Sequence, residues 1–102
     1  MIDIVAIETQ PSGSKHLEHI TKLYWIETTR AGVHGVGSEK WSTRAQMYEF
    51  VKNNPNIAYA ISRNDNRWAY LEPVHGAGVN YVRTRPDSTR TDNLLSLPRR
   101  KR

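Results

Sequence analysis

Three groups of residues have the types and spacing to do chemistry. Arg83, Arg85 and Arg90, interleaved with Thr84, Ser88, Thr89 and Thr91, set guanidinium forks beside hydroxyls, a combination suited to a phosphate or a carboxylate. The same arginines have a structural use open to them, pairing with Asp87 and Asp92 to hold a turn. Arg99, Arg100, Lys101 and Arg102 form a run of four cations that can hold a phosphate backbone in a salt-sensitive way. Arg63 and Arg67 bracket Asn64-Asp65-Asn66 and Trp68 follows at once, which presents cations and a stacking ring together near a hairpin tip. Trp25, Trp41, Tyr24, Tyr48, Tyr59, Tyr70 and Tyr81 extend that option, with Arg83 on its flank. A core with no Phe beyond Phe50 also draws on those rings, and core use is the stronger claim on them.

Other chemistries find less. His16 and His19 are three apart, and on a strand they point to opposite faces, where a ligand pair wants a spacing of two. His34 and His75 fall in distant loops, so neither a metal nor another cofactor is expected. Gly32, Gly35 and Gly37 sit ahead of a helix, as in a phosphate-cradling loop, but Ser38, Glu39, Lys40 and Trp41 intervene where a Walker loop has Gly-Lys and a hydroxyl. They read as a mobile loop. No Ser-His-acid spacing or concentrated carboxylate pair is present, and no catalytic residue is assigned.

These groups sit on a small frame. At 102 residues the chain has room for one modest core, and with no cysteine that core holds itself without disulfides. Residues 80–102 carry seven Lys or Arg against two Asp, while residues 1–79 are balanced, so the +5 net charge belongs to the end of the chain. Four of those five charges come from Arg99 to Arg102. No apolar run reaches membrane-spanning length and no signal-peptide pattern opens the chain, so a cytoplasmic protein with no membrane partner is expected.

The elements follow from local pattern. Ile2 to Ile7 is a β-branched run closed by Gln10-Pro11-Ser12-Gly13-Ser14, and Leu17 to Thr29 reads as a second strand. Residues 31–38 form a connector. Thr43 with Gln46 is a capping box for a helix whose Met47, Phe50 and Val51 share one side and which Asn53-Asn54-Pro55 stops. Residues 57–61 and 68–71 flank a hairpin turn, Pro73 ends or edges that strand, and Val79, Tyr81 and Val82 supply one more. Pro86-Asp87-Ser88 suits a type I turn, and Thr91 or Asp92 caps a helical turn that docks Leu94, Leu95 and Leu97. The expected fold is α+β: a mostly antiparallel sheet of about five strands with one amphipathic helix, in ββαβββ order, over residues 1–98, followed by a basic tail at 99–102.

Tyr81-Val82-Arg83-Thr84, Pro86-Asp87, Asp92-Asn93-Leu94 and Leu97-Pro98 resemble the closing signature of the bacterial and phage domain-of-unknown-function family 3892. His19-Ile20, the helix ending in Phe50-Val51 and the aromatic hairpin at 57–71 extend the resemblance over nearly the whole chain. It implies a small α+β domain and supplies no reaction, no cofactor and no catalytic residue. The leading expectation is a non-enzymatic binding module that engages an anionic partner, nucleic acid, through its basic C-terminal region. The alternatives are an accessory protein of a phage or mobile element that binds a host protein or itself, and a binder of a small nucleotide through Arg83, Arg85 and the loop at 32–38.

Overall fold

The structure is a computed structural model that describes residues 1–85 and 92–100. Six strands form one sheet: β1 (Ile2–Thr9), β2 (Ile20–Glu27), β3 (Lys40–Thr43), β4 (Ala58–Ile61), β5 (Trp68–His75) and β6 (Asn80–Thr84), in the order β3-β2-β1-β4-β5-β6. The one α-helix among the described residues, α1 (Arg44–Asn53), lies between β3 and β4 in the chain. The α+β class is as expected, and two details differ. Lys40–Thr43, taken as connector and helix entry, is a strand at the sheet edge. The sheet is also mixed, because β1 and β4 run parallel, with Ile2 opposite Ala58 and Ile4 opposite Ala60. Both differences have one physical origin: α1 serves as the crossover that parallel neighbours need, and β3 fills the approach to it.

β1 is buried along its whole length because it lies mid-sheet with both faces covered. A register shift between Ile4 and Ala6 leaves Val5 as an extra residue, so Ile7 returns to the face of Ile4. That face forms the main core. Ile2, Ile4, Ile7, Leu23, Ala58, Ala60, Leu71 and Val82 pack there with Met47, Tyr48 and Val51 of α1. Each fully buried Leu or Ile contributes about 1.5–3 kcal/mol relative to exposure. The helix begins with the anticipated reciprocal cap: Gln46 N–H donates to Thr43 Oγ1, and Thr43 N–H donates to Gln46 Oε1.

A 3₁₀ turn at Asn93–Ser96 closes the fold, and Asp92 caps it by accepting from the Leu94 amide at 2.9 Å. Asp92 also accepts from the Thr84 amide at 2.9 Å, tying the turn to the end of β6. Leu94 and Leu97 are buried in the main core, as the leucine spacing foretold. The expected turn at Pro86-Asp87-Ser88, and Thr91 as an alternative cap, lie outside the described residues.

The chain stays paired beyond Pro98. Ile7 N–H donates to the Pro98 carbonyl and Arg100 N–H to the Ile7 carbonyl, so Arg99 bridges Ile7 in parallel. β4 pairs with β1 only from Ile2 to Ile4, and this short segment takes the vacant side of Ile7.

Candidate nucleic-acid interface

The pairing register sorts side chains onto the two faces. Asp3 lies opposite Tyr59, Tyr59 opposite Tyr70, Ile61 opposite Trp68, and Glu72 opposite Arg83. Strand alternation therefore puts Asp3, Tyr59, Ile61, Trp68, Tyr70, Glu72, Val74, Tyr81 and Arg83 on the face away from α1.

The loop at 28–39 covers one half of that face. It is pinned by two side chains from the sheet. Asp3 Oδ2 accepts from the Gly35 amide at 2.8 Å, and the Tyr59 hydroxyl donates to the Val33 carbonyl and pairs with Thr28 Oγ1. Gly32, at φ +83°, lies so close to Trp68 that a Cβ there would fall 2.5 Å from the indole Nε1. The glycines thus let the backbone approach the sheet and the indole. They do not form an anion cradle at Gly35, whose amide is already satisfied by a carboxylate.

Asp3 is the residue that sequence reasoning missed. It is 1% exposed, and among the described residues its Oδ1 has no hydrogen-bond partner. Burial pushes its carboxyl above the usual range, opposed by the Gly35 amide and by the charges of Arg63 and His34. The available signal was an acid inside the apolar run Ile2 to Ile7. Burial also raises the Tyr59 hydroxyl, partly offset by its bond to Thr28.

Among the described residues, nothing covers the other half of the face. Trp68 is 41% exposed and meets Tyr70 edge-on at 5.1 Å, while Tyr59 meets Trp68 from the buried side at 5.6 Å. The Arg85 guanidinium lies 5.3 Å from the Tyr70 ring centroid, held there by a bond from its Nη2 to Asn56 Oδ1. Arg83 donates to Glu72 at 2.7 Å beside them. Arg67 reaches Asp65 at 4.0 Å, and Arg63 Nη1 lies 3.4 Å from His34 Nδ1. Five of the sequence candidates, Arg63, Arg67, Trp68, Arg83 and Arg85, are therefore on or beside one surface.

The C-terminal cations are placed differently. Arg99 donates to the carbonyls of Ser14 and Leu95, a clamp between two turns, and Arg100 is ion-paired with Glu39 at 2.6 Å. Both were expected as freely presented charge in a tail, and backbone pairing to β1 instead ties them to the fold, with the Arg100 side chain still partly exposed. Arg90, Lys101 and Arg102 lie outside the described residues. The aromatics divide as well: Tyr48 and Tyr59 are core, whereas Trp41 and Trp68 are exposed.

Two further candidates resolve structurally. His16 and His19 are not on a strand. His16 precedes a 3₁₀ turn at Leu17–His19 and His19 ends it, with their rings 5.2 Å apart, and His19 Nδ1 pairs with Ser14 Oγ. A groove of about 620 Å³ runs beside β3, lined by Trp25, Met47 and Phe50 among others. Its polar groups already have partners: Trp25 Nε1 donates to Ser42, Lys40 pairs with Glu27, and Gln46 closes the helix cap.

The chain matches the family described as protein of unknown function (DUF3892) over residues 3–98. It belongs to that family. The matched span takes in Asp3, the loop at 28–39, the aromatic hairpin and β6, so the family's defining segment is the whole sheet with both of its faces. No curated protein and no solved structure matches the chain. No helix among the described residues is long and apolar enough to cross a membrane.

Proposed function

We propose that this member of the family is a binding module that holds single-stranded nucleic acid on the open half of its sheet. The observation that carries the reading is the Trp68, Tyr70 and Arg85 arrangement: a half-exposed indole, a second ring against it and a guanidinium over that ring. Unpaired bases stack on such rings regardless of sequence, each stack being worth about 1–3 kcal/mol, and flanking arginines attract the backbone. Arg67 and Arg83 supply that flank. Duplex bases keep their faces inside the stack, so an exposed ring favours single strands.

The test is fluorescence anisotropy with labelled single-stranded DNA and RNA of mixed sequence and a matched duplex, at low and moderate salt. Wild type binds the single strands more tightly than the duplex, and Trp68→Ala weakens binding about 5- to 100-fold. Circular dichroism confirms that the variant remains folded. Equal affinity for Trp68→Ala and wild type, or no single-strand binding at low salt, overturns the reading.

A second reading rests on β3. Among the described residues this strand has an unpaired outer edge, and Trp41 on it is 54% exposed, with Lys22 Nζ 4.6 Å from the ring centroid. An open strand edge with an exposed aromatic suits a protein partner that adds a strand. Light scattering at high salt with wild type and Trp41→Ala distinguishes it, since this association tolerates salt and nucleic-acid binding does not.

A further inference from the structure

Loop 28–39 ends against the ring that the proposed platform depends on. Gly32 packs on the Trp68 indole, and the same loop covers Asp3 and Tyr59. Its attachment is uneven. The Tyr59 hydroxyl is fully engaged, by Thr28 and by the Val33 and Arg30 carbonyls. Asp3 makes one bond to the loop with one oxygen and leaves the other unpartnered beneath it. A buried carboxylate with an unpaired oxygen disfavours the closed loop whenever it is ionised, because opening lets water reach that oxygen.

We propose that loop 28–39 is a proton-sensitive flap, latched to the sheet by Asp3 and Tyr59, whose opening frees the loop-facing side of the Trp68 ring for a stacked base. The stacking part rests on the nucleic-acid reading above; the latch does not. The groups that face Asp3 are Gly35 and His34 on the loop, Arg63 at the start of the β4–β5 turn, and Tyr59 on β4. Arg63 and His34 are themselves in contact, Nη1 to Nδ1, at 3.4 Å.

The sign follows from burial. The closed state raises the Asp3 carboxyl above its ordinary value of 3.8, so closure takes up a proton relative to the open state. The latch is strongest below about pH 3.8 and weakens as pH rises through the raised value, after which it is constant. Rising pH is therefore the opening condition. The opening constant grows about tenfold for each unit by which the closed-state value exceeds the open one.

Hydrogen exchange of the Gly35 amide, followed by NMR from pH 3.5 to 7.5 and divided by the intrinsic rate, reads the opening constant directly. In wild type it rises severalfold and reaches a plateau. In Asp3→Asn it is flat, and in His34→Gln the rise persists. A flat wild-type profile, or an equal rise in Asp3→Asn, overturns the latch. Should Asp3→Asn not fold, the Asp3 carboxyl carbon shift in wild type serves instead: a midpoint above 3.8 mirrored by the Gly35 amide supports the latch, and a midpoint at 3.8 overturns it. Oligonucleotide anisotropy over the same pH range separates the two claims. No binding at any pH with an intact Gly35 profile removes the platform and keeps the latch. Affinity that varies identically in wild type and Asp3→Asn removes the gating.

Discussion

On the helix side of the sheet, Ile4, Leu23, Ala60, Leu71 and Val82 are almost fully dry, and α1 seals them. On the other side the covering is partial: the loop at 28–39 shields Asp3, Ile26 and Tyr59, and beyond Gly32 the surface passes to Trp68, Tyr70, Arg83 and Arg85. The strands are common to both faces, so the difference lies in what covers them. An apolar stripe on a capped helix makes a permanent lid, whereas a glycine-containing loop attached through two polar side chains makes one that can be displaced. Under the proposed function, this contrast puts stability on one face and recognition on the other.

The largest expected effect sets the two faces against each other. Leu71→Ala on the dry face removes a side chain that is 1% exposed and is expected to cost about 2–5 kcal/mol in urea unfolding. Arg83→Gln, on the neighbouring strand but the open face, breaks an exposed ion pair worth at most about 1 kcal/mol. A comparable loss for both variants would dissolve the contrast.

The C-terminus provides the next test. Ending the chain after Pro98 removes the Arg100 bond to Ile7 and both Arg99 clamps, at roughly 0.5–1.5 kcal/mol per bond. The unfolding midpoint should fall clearly. Removing only Lys101 and Arg102 leaves those bonds, so stability should hold while the salt dependence of oligonucleotide binding reports any part that those two charges play. An equally stable chain after either truncation would return Arg99 and Arg100 to the status of a tail.

Asp92→Ala is expected to cost about 1–2 kcal/mol by thermal unfolding, because the carboxylate holds both the Leu94 and Thr84 amides. Burial also raises the Asp92 carboxyl, so its ionised form carries a penalty that those two amide bonds offset. The smallest effect is on recognition alone. Arg83→Gln should lower the slope of log affinity against log salt by about 0.7 to 1, as for one lost phosphate contact, and weaken binding evenly across sequences.

Legibility in the sequence followed the range of the interactions. The helix could be placed because Thr43, Gln46 and Pro55 act within one or two turns of it, and the hairpin because Asn64-Asp65-Asn66 forces the reversal locally. Asp92 and the leucines behind it announced the last turn in the same way. Lys40-Trp41-Ser42-Thr43 was not legible as a strand, since four residues with one large apolar side chain carry no alternation, and only β2 beside them makes them one. Much of the candidate surface was visible as Arg63, Arg67 and Trp68 around the hairpin with Arg83 on their flank, but the place of Arg85 beside them needed the β5–β6 register.

The sequence by itself thus determined the α+β class, the helix with its caps, the hairpin and the residue types for stacking and charge. Tertiary structure alone decided that Asp3 is entombed beneath a loop more than twenty residues away, that Arg99 and Arg100 are built into the fold, and that the ring at 68 is exposed. The physical reason is that caps and turns are settled by neighbours in the chain, whereas burial and exposure depend on which distant segment covers each face.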